Sequence, residues 1–408
     1  MRILWCHEVS YTGKPVYEYQ DFAERLSARG HQIEVLDFDE SSPTKAESLA
    51  VSRTGEAEVL RTPIPHGGMP GFKYLEAQAR FYRMLRKRLK VGSVDVVFVY
   101  SVFINGALAV QISRKFGVPV VYRVLDAYHQ LRPGRLTRAI LLAGERYIYR
   151  NADRILVTNE KMADYVTGLA SPRRAASMRV LDHGVDCAHF TVRPRDRELA
   201  ERYAIEEDDQ VAVFLGTTYA FSGLLELVRR MSDAICRSPR LKLLIVGAGE
   251  LDDALASAVG ALGLDGKVIL TGMVSYQDVP RYLSLGTIAL NPFEINDITR
   301  DIVPIKILQY QACGLPVLST PLPDLKRKHP PGGAGVRYSA TADIGTFVSE
   351  LTEMLGAAEE MSALAVRGRH YMECAFSVER AIDTLESELE TLVGAARGAG
   401  SHAAGALK

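Results

Sequence analysis

The sequence predicts an α/β protein built from two doubly wound parallel sheets in tandem. Its 408 residues exceed what one hydrophobic core usually organises, since single domains mostly hold about 100 to 200 residues. Short apolar strands alternate with helical segments in both halves of the chain, and the alternation begins again near Gln210. These observations favour two domains with similar architecture.

The first half contains five apolar runs that are typical of buried parallel strands. They read RILWCHEV, HQIEVLDF, VDVVFVYS, VPVVYRV and ADRILVTN. Helical periodicity lies between them, over about Tyr17 to Arg29 and about Arg135 to Arg150. Right-handed crossovers are expected, because parallel strands are almost always joined in that way.

The second half repeats the pattern in VAVFLGTTYAFSG, KLLIVGAGE and KVILTGMV. A further strand is expected at TIALNPF, from Thr287 to Phe293, and a helix should begin near Pro304, a residue that the first turn of a helix tolerates. Gly314 and Pro316 end that helix, and PVLST is the next strand. We place the domains at residues 1–193 and 194–375, followed by a helix over 376–393 and a disordered tail over 394–408.

Composition excludes several classes of protein. The net charge is zero, which gives no general attraction for nucleic acid. Five dispersed cysteines without CxxC spacing favour neither a disulfide framework nor a zinc site. The first residues lack the features of a signal peptide, and no apolar run reaches the ~18 residues of a membrane span. A cytoplasmic protein is therefore expected.

The start of the predicted helix after Pro304 is a candidate anion site. Free N–H groups and a partial positive charge lie at a helix N-terminus, which favours phosphate. Lys306 in the first turn adds a full charge, and the amide of Gln309 one turn later suits the hydroxyls of a ribose. An ordinary strand, turn and helix with a surface lysine is the alternative.

Several motifs in order resemble the two-domain glycosyltransferases of the GT-B fold, with Rossmann-like domains and a ligand site in the interdomain cleft. The string RVLDHGVDCAHF resembles the NGVD signature of bacterial family-four enzymes, and LKLLIVGAGELDDAL resembles their second-domain core. The run from Lys306 to Tyr310 resembles the xanthan-type glucuronosyltransferases. The resemblance covers nearly the whole chain, from Met1 to about Leu392, and it implies that the helix over 376–393 crosses back to the first domain.

The resemblance implies a nucleotide-sugar site in the second domain. Lys306 is the expected diphosphate contact and Gln309 the expected nucleotide contact, where family four has a Glu. Asp301 takes the position of a sugar-binding Glu, and the Arg and Lys of the family's first turn are replaced around Gly216 and Ser222. The predicted donor-binding residues are therefore Gly216, Thr217, Thr218, Phe293, Arg300, Asp301, Lys306 and Gln309.

Asp126 follows the strand VPVVYRV and matches the base of xanthan-type enzymes. An inverting transfer needs a base beside the acceptor hydroxyl, whereas the family-four resemblance favours retention of configuration, so the stereochemistry stays open. A helix-capping role is the alternative for Asp126. Candidate acceptor contacts are Glu8, Tyr11, Lys14 and His129. A solvated side chain is the alternative for Lys14, and a helix-capping role is the alternative for His129.

The segment RFYRMLRKRLK predicts an amphipathic helix with a basic face, of the kind that binds anionic lipid. Its cations are Arg80, Arg83, Arg86, Lys87, Arg88 and Lys90, and a solvated helix face is the alternative. The expected partners are a nucleotide-sugar donor and a glycan or lipid-linked acceptor. If the basic face binds lipid, an anionic surface at the inner face of the membrane is a further partner.

The sequence thus predicts a glycosyltransferase that takes its sugar from a nucleoside diphosphate sugar, with UDP as the favoured nucleotide. No cofactor is expected, because no DxD motif stands at a strand end to hold a metal ion. The rival hypotheses are a nucleotide-sugar epimerase on the same fold and a non-catalytic nucleotide-sugar-binding subunit.

Overall fold

The computed structural model describes residues 1–13, 18–39, 47–65, 73–100, 104–130 and 134–405. The chain divides into two compact units. Unit 1 comprises Met1–His183 and Ala381–Lys408, and unit 2 comprises Gly184–Arg380. Each unit is a sheet with helices between most successive strands, which confirms the predicted pair of doubly wound α/β domains.

In its described residues unit 1 forms an eight-stranded sheet with the order β3-β4-β2-β1-β5-β6-β7-β8. Only the short β3 pairs in the antiparallel direction, along β4. The elements are β1 (Arg2–His7), α1 (Glu18–Ala28), β2 (Gln32–Asp39), β3 (Leu49–Val51), β4 (Val59–Pro65), α2 (Lys73–Lys90), β5 (Val96–Tyr100), α3 (Ile104–Lys115), β6 (Val120–Val124), α4 (Arg135–Asn151), β7 (Arg154–Val157), α5 (Glu160–Leu169) and β8 (Met178–Val180).

Unit 2 forms a six-stranded parallel sheet with the order β11-β10-β9-β12-β13-β14. Its elements are α6 (Arg197–Arg202), β9 (Gln210–Leu215), α7 (Leu224–Arg237), β10 (Leu241–Val246), α8 (Asp252–Ala261), β11 (Val268–Leu270), α9 (Val279–Leu283), β12 (Ile288–Asn291), α10 (Ile305–Ala312), β13 (Val317–Ser319), α11 (Pro323–Lys328), β14 (Val336–Tyr338), α12 (Ile344–Leu355) and α13 (Ala358–Ala375). The helix α14 (Val378–Gly405) begins in unit 2 and continues in unit 1.

Strand order places the point of chain reversal in unit 2 between β9 and β12. The chain runs outward from β9 to β10 and β11 and then returns to the other side of β9. Loops at the carboxyl ends of these two neighbouring strands diverge, which opens a crevice where doubly wound sheets bind ligands. Phe214 near the end of β9 and Phe293 just after β12 are both buried there.

The division between the units lies before the boundary expected from the sequence at residues 193 and 194. Val185 exchanges backbone hydrogen bonds with Phe376 and Val378, and Phe190 is buried in the core of unit 2. Asp196, just after the expected boundary, belongs to unit 2, where it caps α6 and pairs with Arg281.

The last helix is longer than the sequence analysis expects. It extends to Gly405, whereas the sequence predicts a helix that ends at residue 393 and a disordered segment after it. Alanine, which recurs in this segment, has the highest helix propensity, and this explains the continuation. Among the described residues, no helix combines the length and the apolar character that crossing a bilayer requires.

Candidate functional site

The loops after β9 and β10 form a tightly packed backbone surface at the carboxyl edge of the unit 2 sheet. Gly216 and Gly247 have φ of +128° and +130°, a backbone conformation that residues other than glycine rarely adopt. A Cβ atom on Gly247 would lie 2.2 Å from the carbonyl oxygen of Gly216. Glycine at both strand ends therefore allows the two loops to come into backbone contact.

Lys306 lies against this surface. The helix α10 begins after Pro304, as predicted, and Lys306 is in its first turn. A Cβ atom on Gly216 would lie 3.3 Å from both Cε and Nζ of Lys306, so the lysine side chain covers this glycine. The Nζ atom is buried and has no hydrogen-bond partner among the described residues. Burial lowers the pKa of Lys306 well below its ordinary value.

Two aromatic rings flank the amine of Lys306. The distance from Nζ to the ring centroid is 3.7 Å for Phe214 and 4.0 Å for Phe293. Phe293 was predicted as a donor-site residue, but Phe214 was not. A sequence signal for it exists, because Phe214 and Gly216 are two positions apart on a strand and so share a face of the sheet.

The hydroxyl group of Tyr310 fastens α10 to the sheet beneath it. It accepts a hydrogen bond from the N–H of Leu215 at 2.6 Å and donates one to the carbonyl of Leu290 at 3.3 Å. These residues belong to β9 and β12, on the two sides of the crevice. Tyr310 therefore holds α10 at a fixed distance from the ends of β9 and β12. Because Lys306 lies on α10, its position is fixed as well.

Thr217 and Thr218, which were predicted as donor-site residues, lie in the loop after β9. The Thr218 hydroxyl donates to Asp252 at 2.6 Å, and the same carboxylate accepts from the N–H of Gly249 at 2.9 Å. That hydroxyl thus connects the loops after β9 and β10. The N–H groups of Thr217 and Thr218 donate to no other described residue, which leaves them available for an anion.

The other predicted donor residues lie on or just before α10. Gln309 is half-buried one turn after Lys306, and its amide forms no hydrogen bond with another described residue. Residues three apart on a helix share a face. Arg300 and Asp301 lie in the short turn Thr299–Asp301 that precedes α10. Arg300 is exposed, with its guanidinium 3.6 Å from Asp297.

The predicted catalytic residue Asp126 lies in unit 1, two positions after the end of β6. Its side chain is exposed, yet the surrounding protein atoms partly desolvate the carboxyl group and raise its pKa, while the charge of His183 acts in the opposite direction. His183 is held in turn by Glu18, since Nδ1 lies 2.6 Å from the carboxylate.

Glu18 is the centre of a buried polar cluster that sequence reasoning did not identify. Its carboxylate accepts from Nε and Nη2 of Arg123 at 2.8 and 2.7 Å and from the Tyr100 hydroxyl at 3.1 Å. Burial acts to raise the pKa of Glu18, but the opposing charges of Arg123 and His183 prevail and lower it. All five residues of β6 are buried, and its run VVYRV gives no local signal that Arg123 pairs with a carboxylate on α1.

The structure gives two of the predicted acceptor residues structural surroundings. Tyr11 is fully buried, and its hydroxyl donates to Glu24 at 3.1 Å, so its side chain packs inside unit 1 and does not face an acceptor. His129 approaches the buried carboxylate of Glu145 at 2.8 Å. Glu8 is half-buried after β1, and Lys14 lies outside the described residues.

The basic segment forms α2 as predicted, but its apolar residues face inward. Phe81, Leu85 and Leu89 are buried in the unit 1 core and cannot contact lipid. Arg80 donates to the carbonyl of Pro65, and Arg88 lies 2.6 Å from Glu34. The cations that remain exposed are Arg83, Arg86, Lys87 and Lys90.

Comparisons with known proteins agree with this architecture. A glycosyl transferase 4-like domain matches residues 18–184, and a glycosyl transferases group 1 domain matches residues 209–356. Together these matches cover most of the chain and divide it as the two units do.

Individual relatives are distant in sequence and close in fold. An alpha-monoglucosyldiacylglycerol synthase of Streptococcus pneumoniae is 21% identical over 341 residues, which cover 80% of this chain and 72% of the relative. Anabaena HepE, crystallised with UDP and glucose, is 13% identical with a TM-score of 0.73, covering 96% of this chain and 99% of HepE.

Sucrose-phosphate synthase from Thermosynechococcus elongatus is similar in fold to the same degree. It is 16% identical with a TM-score of 0.74, over 97% of this chain and 99% of the synthase. The domain matches and the two doubly wound units lead to one conclusion: the chain is a glycosyltransferase of the GT-B fold, with a family-four-like first domain followed by a group 1 domain.

Proposed function

We propose that this glycosyltransferase transfers a sugar from a UDP-sugar to a glycan or lipid-linked acceptor in the synthesis of envelope or exopolysaccharide. The observation that carries the proposal is the buried amine of Lys306, which covers Gly216 and has no partner among the described residues. A buried polar group without a partner is costly. A diphosphate would supply the missing acceptor atoms. The complexes of HepE with UDP and with UDP-glucose support this nucleotide.

The donor site is proposed to hold the diphosphate between Lys306 and the N–H groups of Thr217 and Thr218. The free N–H groups at the start of α10 add to the favourable field. Gln309, on the same helix face, is the proposed ribose contact, and Asp301 the proposed sugar contact. Arg300 is exposed just before α10 and is the proposed second cation.

The reaction forms a bond between the acceptor oxygen and the anomeric carbon and breaks the bond from that carbon to the diphosphate. Negative charge develops on the leaving diphosphate, where the cation of Lys306 stabilises it. We propose that Asp126 accepts the proton of the acceptor hydroxyl in an inverting reaction. A retaining reaction would not need this base, so replacing Asp126 distinguishes the two.

The acceptor is proposed to be presented at an anionic membrane surface. Four cations of α2 are exposed, and Leu136 and Ile140 near the start of α4 are 76% and 51% exposed. Each basic residue near such a surface contributes roughly 1 kcal/mol. The name of the Streptococcus pneumoniae relative, a glucosyl-diacylglycerol synthase, supports a lipid acceptor.

The donor proposal is tested by titrating the purified protein with UDP, GDP and ADP. UDP should bind best, and Lys306→Ala should weaken it about 10- to 100-fold, since hydrogen bonds to charged groups contribute roughly 1.5 to 3 kcal/mol. Lys326→Ala is the matched control, because this lysine is exposed on α11. Equal affinity of the Lys306→Ala variant and the wild type would contradict the proposed site.

Assays of UDP-sugar turnover then distinguish a transferase from an epimerase and from a non-catalytic subunit. A transferase releases UDP from a UDP-sugar only when an acceptor is added, whereas an epimerase converts the sugar without one. A non-catalytic subunit would bind UDP and do neither.

The membrane proposal is tested by sedimentation with vesicles. Anionic vesicles should retain the protein and neutral ones should not. Changing Arg83, Arg86 and Lys87 to Gln should weaken retention about a hundredfold, from roughly 1 kcal/mol each. The control pair, Arg229→Gln and Arg230→Gln, lies on α7 of unit 2 and should have no effect. Equal retention by the α2 variant would reject this surface.

A further inference from the structure

The amine of Lys306 lies in an aromatic cage formed by Phe214 and Phe293, two residues that belong to different strand ends of the crevice. Phe214 is 0% and Phe293 5% exposed, and Lys306 is 8% exposed. Ring faces attract a cation, but by only about 0.5 to 2 kcal/mol. That attraction is smaller than the several kcal/mol that burying an unpaired charge costs. The rings therefore fix the position of the amine, but their attraction does not offset the cost of burying its charged form.

No carboxylate among the described residues forms an ion pair with Lys306. On the loops that pack against it, Asp252 accepts from Thr218 and Gly249, and Glu250 accepts from the N–H of Ala220. On the neighbouring segments, Glu294 is exposed after Phe293, and Asp301 lies in the turn before α10. The only cause that shifts the pKa of Lys306 is burial, which lowers it.

We propose that Phe214 and Phe293 are positioning residues that keep the amine of Lys306 at the phosphate site in a form that takes up a proton when a phosphate anion binds. The inference rests on the proposed donor site. An anion within hydrogen-bond distance favours the charged ammonium. The proton comes from the solvent, so UDP and one proton bind together.

The proposed proton uptake fixes the direction in which UDP affinity changes with pH. At a pH above the pKa of the free lysine, binding must include protonation, so UDP binding weakens as the pH rises. The limit is tenfold per pH unit, which is the effect of one proton. Below the pKa of the free lysine, the amine is already charged and the affinity no longer depends on this group.

The test is calorimetric titration of the full chain with UDP at about pH 8.5, where a phosphate with a second pKa near 6 is already ionised. Two buffers with different enthalpies of ionisation give the number of protons taken up. The wild type should take up a measurable fraction of one proton. Lys306→Arg should take up none, because arginine stays charged at this pH.

The cage variants are Phe214→Leu and Phe293→Leu. Both remove a ring and admit water to the amine, so proton uptake at about pH 8.5 should fall towards zero while UDP still binds, more weakly. Phe347→Leu is the control, because Phe347 is buried in the same unit on α12, and the rings recorded over the Lys306 amine among the described residues are those of Phe214 and Phe293. Its proton uptake should equal that of the wild type. Thermal melting confirms that each variant is folded.

The outcomes separate this inference from the donor site itself. Binding of UDP without proton uptake by the wild type would overturn the inference and leave the donor site intact. Uptake that persists in both cage variants would assign the proton to another group and overturn the role of the rings. Failure of UDP to bind the wild type at all would overturn the donor site, and this inference with it.

Discussion

At the scale of single residues, the surroundings of Lys306 and Asp126 change the pKa of each side chain. Lys306 and Asp126 are both titratable, and burial or partial desolvation shifts the pKa of each towards the neutral form. For a lysine this shift is downward and for an aspartate it is upward. Perturbed groups of this kind are frequent at functional sites. The two residues lie in different units.

Asp126→Asn should abolish sugar transfer and leave UDP binding unchanged, because Asn cannot accept the proton. In the wild type, kcat/KM should fall as the pH falls through the raised pKa of Asp126, so the acid limb should lie above the range of an ordinary aspartate near 3.9. Asp164→Asn, at an exposed position on α5, is the control. Full activity in Asp126→Asn would support the structural alternative and a retaining reaction.

Chelation of divalent ions should leave the rate of transfer unchanged. The reason is that the proposed donor site gives the Lys306 ammonium the role that a metal ion would otherwise have, which is to neutralise the leaving diphosphate. The measurement compares UDP release with and without EDTA, after dialysis of protein and substrate. Loss of activity that added Mg²⁺ restores would contradict this assignment.

The residues of the donor site differ in how far the sequence could reveal them. Lys306 and Gln309 were predictable, because a strand, a turn and a helix start within a few residues determine their position. The spacing of Phe214 and Gly216 indicates that they share a face of the sheet, but the contact of Phe214 with Lys306 forms only on folding, so the sequence did not reveal the cage. Tyr11 was assigned to the acceptor for the same reason, since its partner Glu24 lies on a different element.

At the level of elements, the position of α10 depends on one buried hydroxyl group. Tyr310 connects α10 to β9 and β12, which flank the crevice. The sequence predicted the helix and its start at Pro304, but not this connection. The sequence also predicted α2 and its charges, yet it could not show that the apolar face is covered by the unit 1 core.

Tyr310→Phe should lower the free energy of unfolding by about 1 to 3 kcal/mol, because the buried N–H of Leu215 loses its acceptor. The same variant should bind UDP more weakly, since α10 is no longer held against both strands. Denaturant titration and calorimetry measure the two effects. Tyr82→Phe serves as control, as Tyr82 is 38% exposed. An unchanged stability of Tyr310→Phe would show that the hydroxyl does not fasten the helix.

For the whole molecule, the division of the chain follows long-range contacts more than composition. Two domains and a final helix that crosses back to the first were expected from the sequence, and Ala381–Lys408 belongs to unit 1 together with Met1–His183. The boundary itself could not be read from the sequence. It depends on Val185, which pairs with a segment near the other end of unit 2.

The return of α14 to unit 1 makes the C-terminal helix part of that unit's core. Its buried side chains include Ile382, Leu385, Leu389 and Val393. Ion pairs join Glu386 to Arg29 at 2.7 Å and to His31 at 2.6 Å, and Glu388 to Arg154 at 3.0 Å. Burying an aliphatic side chain of this size contributes roughly 1.5 to 3 kcal/mol, so the helix supplies a large share of the stability of unit 1.

Deleting residues 381–408 should therefore destabilise unit 1 selectively. Amide hydrogen exchange should accelerate in β1, β2 and α1, whereas exchange in β9, β10 and β12 of unit 2 should stay close to that of the full chain. UDP binding should survive, because the proposed donor residues all belong to unit 2. Deleting only residues 398–408 is the matched control, since it keeps every buried residue and ion pair of α14 named above. Equal exchange in unit 1 of the full chain and the longer deletion would show that α14 is dispensable for that core.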